Sequence, residues 1–107
     1  MSEKQRRDHY RVSYPANEMP MLILNDGLYP ISNLSQGGAQ FICSELSLKE
    51  NQNVKGSIKF EDGDRIEFQA EILRLRPPRA TLKFLKPLPY KKLTEEQMRL
   101  RKKYPVV

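Results

Sequence analysis

The chain has 107 residues, a formal net charge of +6, one cysteine, one histidine and no tryptophan. This length suits one domain, and a single cysteine excludes an internal disulfide framework. No run approaches the roughly 20 apolar residues of a membrane-spanning helix, and polar residues 1–11 do not resemble a signal peptide. We therefore expect a cytoplasmic protein with no membrane insertion.

The positive charge is concentrated at the two ends of the chain. Residues 1–11 carry four basic and two acidic side chains, residues 12–85 carry eight and nine, and residues 86–107 carry seven and two. Such a distribution suits an anionic partner, whether a phosphate, a nucleotide, a nucleic acid or an acidic protein surface. The alternative is a solvated surface whose charge serves only solubility.

The first third of the chain predicts an arm followed by strands. Residues 1–11 have no apolar periodicity, so we expect a flexible N-terminal arm. Two apolar runs follow, at residues 21–24 and 28–31, and Asn25-Asp26-Gly27 between them favours a hairpin turn because these residue types accept a positive φ. Residues 38–44 alternate apolar and polar positions and predict a further strand.

The clearest hairpin lies in the middle of the sequence. Apolar and polar residues alternate over 54–60 and again over 66–72, on either side of an Asp-Gly-Asp turn. The alternation becomes ambiguous over 73–76, which predicts a bulge or a bend, and Pro77-Pro78 precedes a last strand at 80–85. About six short, closely spaced strands predict a small closed barrel or a sandwich, since barrel closure removes exposed edges.

The C-terminal segment changes to a helical pattern. Thr94 and Gln97 fit a capping box, and Leu93 and Met98 stand where a hydrophobic staple would pack. These signals predict a helix over about residues 95–103. Its apolar face is only partial, so we expect it to lie against the strands as a lid.

Catalytic chemistry has few candidate residues. His9 is the only histidine, and Cys43 falls in the apolar alternation of a strand, where a buried, inert thiol is expected. Neither residue has a second nitrogen or sulfur ligand at metal-binding spacing. Asp62 and Asp64 flank a turn glycine, but the rest of a calcium-binding loop is missing. We expect neither an enzyme nor a metal or cofactor site.

A first candidate binding cluster precedes the first strand. Arg6, Arg7 and Arg11 stand in a segment without apolar periodicity. The guanidinium group is planar, permanently charged and forked, so it can bind phosphate through two hydrogen bonds, pair with the O6/N7 edge of guanine and stack on a base. Two such groups on a flexible arm could close around a guanine nucleotide. A solvated basic tail is the alternative.

A second cluster lies between two predicted strands. Asn33 could present an amide to a base edge, Ser35 a small hydroxyl, and Gly37 and Gly38 would let a ligand approach the backbone closely. The alternative is an ordinary hairpin connection, because Asn, Ser and Gly are common turn residues.

Together the two clusters resemble the motifs of the PilZ domain family. An RxxxR motif, Arg7 and Arg11, precedes by about two dozen residues an NxSxxG motif formed by Asn33, Ser35 and Gly38. The resemblance implies an all-β fold over residues 12–104, a six-stranded antiparallel β-barrel with a C-terminal α-helix. It also implies a receptor for the bacterial second messenger cyclic di-GMP.

The resemblance further implies the roles of these residues. Arg7 and Arg11 would contact guanine and phosphate, while Asn33, Ser35 and Gly38 would line the base-binding surface. Family members with a basic residue at the position of Arg6 tend to accommodate two stacked ligand molecules, and we expect the same here. The signal would pass to a protein effector that the sequence does not identify, controlling motility, biofilm formation or virulence.

Two other functions fit the sequence less well. A PilZ-like adaptor that has lost its ligand would have no reason to keep both motifs intact. A small basic barrel that binds RNA or single-stranded DNA would place exposed aromatic residues along a basic strand face. Here the basic strand residues Lys55, Lys59 and Lys83 are not interleaved with exposed aromatic residues.

Overall fold

A computed structural model of the chain describes residues 11–25, 27–44 and 48–105. The described residues form seven strands, one turn of 3-10 helix and a C-terminal helix. This confirms the predicted all-β class with a C-terminal helix. The elements are β1 (Arg11–Ser13), the 3-10 turn (Ala16–Glu18), β2 (Met21–Leu24), β3 (Gly27–Ser35), β4 (Gly38–Ile42), β5 (Asn53–Lys59), β6 (Arg65–Arg76), β7 (Arg79–Phe84) and α1 (Tyr90–Lys103).

Six of the strands close into an antiparallel barrel, which confirms the fold that the resemblance to the PilZ domain family implied. The order is β3-β2-β5-β6-β7-β4, and β4 pairs back with β3. The additional strand β1 pairs with the last three residues of β3. Arg11 therefore belongs to a strand, and not to the arm predicted over residues 1–11. The rest of that arm lies outside the described residues.

The barrel interior is filled by the apolar positions of the alternating runs. In the predicted hairpin, Ile58 and Phe60 on one side and Ala70 and Ile72 on the other are 0–2% exposed, so the period-two pattern identified the inward face correctly. Burial of a side chain the size of leucine or isoleucine stabilises the fold by about 1.5–3 kcal/mol. The other fully buried large side chains include Leu22, Leu24, Ile31, Phe41 and Leu82.

The predicted turn and bulge are both present. Asn25 has a φ of 52° in the turn between β2 and β3, whereas Asp26 lies outside the described residues. The pairing of β6 with β7 shifts register between Ile72 and Arg74. Because a bulge adds one unpaired residue to a strand, the alternation restarts there. Leu75, three residues after inward-facing Ile72, consequently packs against the core, while Leu73 points outward and is 47% exposed.

The predicted start of the C-terminal helix was wrong. Helix α1 begins at Tyr90 after Pro89, five residues before the predicted start. The Thr94 hydroxyl donates a hydrogen bond to the Lys91 carbonyl at 2.9 Å, so Thr94 lies inside the helix and does not cap it. Met98 is 59% exposed and forms no staple. Within the described residues, no helix is long and apolar enough to span a membrane.

A buried polar network holds the middle and end of α1 against the barrel. The Tyr14 hydroxyl, just after β1, donates to Glu96 at 2.8 Å. Arg99 donates to Glu96 and also to Glu18 of the 3-10 turn, the latter at 2.8 Å. Lys103 forms a second ion pair with Glu18 at 2.8 Å. Glu18 and Glu96 are buried, so their charges depend on these partners.

A second group of ion pairs, centred on Lys92, fixes the beginning of α1 and meets the first at Glu96, 4.0 Å from the Lys92 amine. Lys92 is buried, and its amine lies 2.8 Å from Asp62 and 2.7 Å from Asp64 in the β5–β6 turn. The amine also stands 4.6 Å from the centroid of the Phe60 ring. Asp62 and Asp64 thus form part of the β5–β6 turn and also bind the Lys92 amine of α1. Throughout the described part of the chain, no group of three metal-ligating side chains could hold an ion.

The Glu18 network predicts a specific loss of stability in acid. Hydrogen bonds from Lys103 and Arg99 lower the pKa of Glu18 from 4.5 to about 2. A lowered pKa stabilises the folded state fully above pH 4.5, and this contribution is lost as the pH falls toward 2. We expect Glu18→Gln to reduce the free energy of unfolding at neutral pH and to flatten its decline over that range, measured by urea denaturation.

Glu61→Gln is the matched control, because Glu61 is an exposed glutamate in the β5–β6 turn. It should keep the acid dependence of the unsubstituted protein. If the Glu18 and Glu61 variants gave parallel curves, the ion pairs at Glu18 would not contribute to stability.

Candidate ligand-binding site

A bulge in β3 brings the NxSxxG side chains to the barrel surface. Ile31 and Leu34 both point inward and are fully buried, although they are three residues apart. Simple alternation would place residues two apart on the same face. The register shift between Ile31 and Asn33 supplies the extra residue. Asn33 and Ser35 therefore face outward, and both are half-buried.

Asn33 lies beside a polar residue of the neighbouring strand. It pairs in register with Gln40 of β4, and its amide nitrogen donates to the Gln40 side-chain oxygen at 3.3 Å. The Asn33 amide oxygen has no hydrogen-bond partner among the described residues. An unpaired, half-exposed acceptor suits a donor on a ligand, such as the N–H groups of a guanine base.

Ser35 closes the turn between β3 and β4. Its hydroxyl accepts a hydrogen bond from the Gly38 N–H at 3.2 Å and lies 3.3 Å from the Gly38 carbonyl oxygen, to which it donates. The strand β1 runs alongside, and Arg11 pairs in register with Ser35. Because Val12 points inward, Arg11 projects outward on the same surface as Ser35.

The two glycines of the motif differ in what they contact. A Cβ atom on Gly38 would collide with the carbonyl oxygen of Leu82, so the close approach of β4 to β7 requires glycine there. A Cβ atom on Gly37 would enter open space. Packing of the barrel thus explains Gly38, whereas it places no such demand on Gly37.

These residues surround one depression of about 190 Å³ on the outer surface of the barrel. Five of the seven predicted site residues line it, namely Arg11, Asn33, Ser35, Gly37 and Gly38. The other two, Arg6 and Arg7, lie outside the described residues. The remaining lining residues are Ala39, Gln40, Leu73, Thr81, Leu82 and Lys83.

Several of those additional residues were not singled out from the sequence. Gln40 and Thr81 pair across β4 and β7, as do Gly38 and Lys83. Their outward orientation follows from strand alternation, but their proximity to Asn33 depends on the order of strands in the barrel, which the sequence does not show. Leu73 follows inward-facing Ile72 and so points outward toward the depression, and an apolar residue at an outward position was the available signal.

The depression is smaller than a complete site for a dinucleotide. Pockets for drug-sized ligands usually measure about 300–1,000 Å³. The described surface offers cations at Arg11 and Lys83, an acceptor at Asn33 and an apolar contact at Leu73.

Comparison with known proteins identifies the family. A family model, described as the PilZ domain, matches residues 5–98. The chain belongs to the PilZ domain family. PilZ domains are binding domains and not enzymes, and the family binds cyclic di-GMP and interacts with protein effectors. A search of the curated proteins finds no match to this PilZ domain.

Three solved structures share the fold. The Bacillus subtilis inhibitor of motility MotI/DgrA is 17% identical over 87% of this chain, with a TM-score of 0.63. This chain covers 49% of that protein and so spans about half its length. The Legionella protein Lpg0364 is 20% identical, with coverage of 89% of this chain and 97% of its own and a TM-score of 0.60.

The third is the PilZ domain of CeSA from a cellulose-synthesizing bacterium. It is 20% identical over 85% of this chain and 93% of its own, with a TM-score of 0.50. Identities this low show a shared fold, and function has to be argued from the site itself.

The contrast between the two glycines can be tested directly. We expect Gly38→Ala to lower the free energy of unfolding by about 1–2 kcal/mol, because the added methyl group must displace the β7 backbone. Gly37→Ala should change it by less than about 0.5 kcal/mol, since its methyl group meets no neighbour. Urea denaturation of both variants measures the difference, and equal stabilities would show that β4 and β7 are not in such close contact.

Proposed function

We propose that this PilZ domain is a cyclic di-GMP receptor that transmits the level of the messenger to an effector protein in the cytoplasm. The observation that carries the proposal is the meeting of Arg11, Asn33, Ser35 and Gly38 on the wall of one depression. These residues come from β1, β3 and β4, and they are the described members of both sequence motifs.

The chemistry of the depression suits a dianionic guanine dinucleotide. Arg11 and Lys83 supply positive charge for phosphate, and the Arg11 guanidinium can also bind the O6/N7 edge of guanine. The Asn33 amide oxygen can accept a guanine N–H. Leu73 offers an exposed apolar surface against which a base can pack. A phosphate, the edge of a guanine and the face of a base thus each have a complementary group, which accounts for part of the ligand.

We propose that Arg6 and Arg7 complete the site from the preceding segment. The depression is too small to enclose the dinucleotide, so the remaining ligand surface needs a second wall. Arg7 would add a second guanidinium opposite Arg11. Arg6, the basic residue before the first motif, would support a second ligand molecule stacked on the first, giving two cyclic di-GMP molecules per chain.

The role of Arg11 gives the most direct test. We expect Arg11→Ala to weaken cyclic di-GMP binding by about 1–3 kcal/mol, or roughly 5- to 150-fold, as measured by titration calorimetry. Arg7→Ala should have an effect of similar size. The barrel should stay folded with an unchanged melting temperature, because the Arg11 side chain is exposed.

Lys102→Ala is the matched control, since it also removes one exposed cation but lies on α1, outside the residues lining the depression. It should leave cyclic di-GMP binding unchanged. If the folded, unsubstituted protein gave no heat with cyclic di-GMP, the alternative of a ligand-free adaptor would be supported. Salt-dependent binding of RNA or single-stranded DNA that weakened in Lys102→Ala would support a nucleic-acid-binding barrel.

Ligand binding should also order the segment that carries Arg6 and Arg7. We expect the backbone amide signals of residues 2–10 to change their chemical shifts when cyclic di-GMP is titrated into isotope-labelled protein. Those contacts would present a new surface to an effector. Amide signals that do not change on saturation would show that this segment takes no part in binding.

The process under control is also part of the proposal. A similar fold occurs in an inhibitor of motility, which makes motility the first process to test, ahead of biofilm formation and virulence.

A further inference from the structure

The strand β2 is apolar on both of its faces. Leu22 and Leu24 point into the barrel and are buried, while Met21 and Ile23 point outward and are only partly covered. A barrel strand with one face in water normally alternates apolar and polar residues. The outward face of β2 therefore departs from the pattern that β5 and β6 follow.

Strand pairing extends these outward residues into an apolar patch. Met21 pairs with Pro30 and Ile23 pairs with Leu28, so the four side chains lie together on the outside of β2 and β3. Ile31 pairs with Phe41 in the antiparallel strands β3 and β4. Pro30 precedes Ile31 and Ile42 follows Phe41, so Pro30 and Ile42 lie next to each other. We call these five residues, Met21, Ile23, Leu28, Pro30 and Ile42, the apolar patch. Leu28 is 63% exposed and Ile42 is 38% exposed.

Basic residues flank the apolar patch on two sides. On the β5 side, Lys59 pairs with Met21, and Arg65 donates to the Ser57 hydroxyl beside Ile23. On the β7 side, Arg79 pairs with Ile42. Lys59, Arg65 and Arg79 are all exposed. Glu67 also pairs with Ser57, so the β5 side carries two positive charges and one negative charge.

We propose that the apolar patch is a docking surface for an amphipathic helix of a partner protein, with acidic residues beside the apolar stripe of that helix. Three adjacent strands span roughly 10 Å, which matches the diameter of an α-helix. The strands β2, β3 and β4 are paired on both sides, so an added strand would find no free edge at the patch.

Charge selects this partner over the other possible occupants. Acidic residues would pair with Lys59, Arg65 and Arg79 at the rim, whereas a second copy of this chain would bring the same basic residues against one another. The polar, basic residues 1–10 of the chain itself have neither the apolar stripe nor the negative charge that the surface requires.

The apolar patch adjoins the proposed ligand site. Gln40 and Ile42 both point outward from β4, two residues apart, which corresponds to roughly 7 Å along a strand. Gln40 lines the depression and Ile42 belongs to the apolar patch. A partner on the patch would therefore lie beside bound cyclic di-GMP. Dependence of docking on the messenger rests on the proposed function, while docking itself rests on the patch alone.

Two designed peptides test the docking surface. Both form helices of about four turns with the same leucine stripe, and they differ only in having glutamate or lysine beside it. We expect the glutamate peptide to shift the methyl signals of Met21, Ile23, Leu28 and Ile42 in methyl-labelled protein, with saturable binding. Leu28→Ser should weaken that binding by roughly tenfold or more, while the lysine peptide should bind at least roughly tenfold more weakly.

Leu85→Ser is the matched control, because Leu85 is similarly exposed, at 59%, but lies after β7 away from the apolar patch. It should leave peptide binding unchanged, and both variants should keep the melting temperature of the unsubstituted protein. Shifts confined to the methyl groups of Leu85 and Leu88, or equal binding of the two peptides, would overturn the proposal. So would self-association of the peptide-free protein that Leu28→Ser abolishes, because a second copy would then be the occupant.

Repeating the titration with cyclic di-GMP separates the two proposals. If the messenger gave no heat but the glutamate peptide still bound at the apolar patch, the docking surface would stand and the proposed function would fail. If the messenger bound and the peptide did not, only the docking surface would be overturned.

Discussion

The pairing of β3 with β4 is the constraint on which the molecule depends. It closes the barrel, because β3 and β4 are the two ends of the strand order β3-β2-β5-β6-β7-β4. It also contains the bulge that turns Asn33 and Ser35 outward while Leu34 stays in the core. One local irregularity in hydrogen bonding thus serves both the packing of the interior and the display of polar side chains on the surface.

The helix α1 is attached by charge as much as by apolar contact. Leu93 and Leu100 are buried, but buried Glu96 and Lys92 lie on the same helix and bind partners on the barrel. The Tyr14 contact with Glu96 stands three residues after Arg11, so the network fixes the strand from which Arg11 projects. Removing one partner from such a network lowers the free energy of unfolding by more than the ion pair itself contributes, because the remaining charge is then buried without a partner.

The outer surface of the barrel is divided between two chemistries. The side toward β1 and β7 carries the polar depression, and the side toward β2 carries the apolar patch. Both reach onto β4, at Gln40 and Ile42. The proposed receptor function needs a place for a ligand and a place for a partner protein, and β4 would connect the two because it reaches both surfaces.

The sequence alone determined the strand faces, the turns and the chemistry of the site residues. Alternation with period two identified the inward residues of β5 and β6, and the loss of that alternation located the bulge at Leu73. The glycine and asparagine turns were also recognisable, because their φ requirements are local. The candidate site residues were singled out through the resemblance of their two motifs to the PilZ domain family, because asparagine, serine and glycine by themselves are also ordinary turn residues.

Only the tertiary structure decided which residues meet. The start of α1 was misjudged because Thr94 and Gln97 satisfy a capping pattern. The helix begins at Tyr90, where buried Leu93 joins the core and buried Lys92 binds Asp62 and Asp64 of the β5–β6 turn. Likewise, Gln40, Thr81 and Lys83 join Asn33 through the strand order, and Gly38 is required by the carbonyl of Leu82 on a strand more than forty residues away. Local sequence fixes backbone preferences and the direction of a side chain, but its neighbours are set by contacts between segments far apart in the chain.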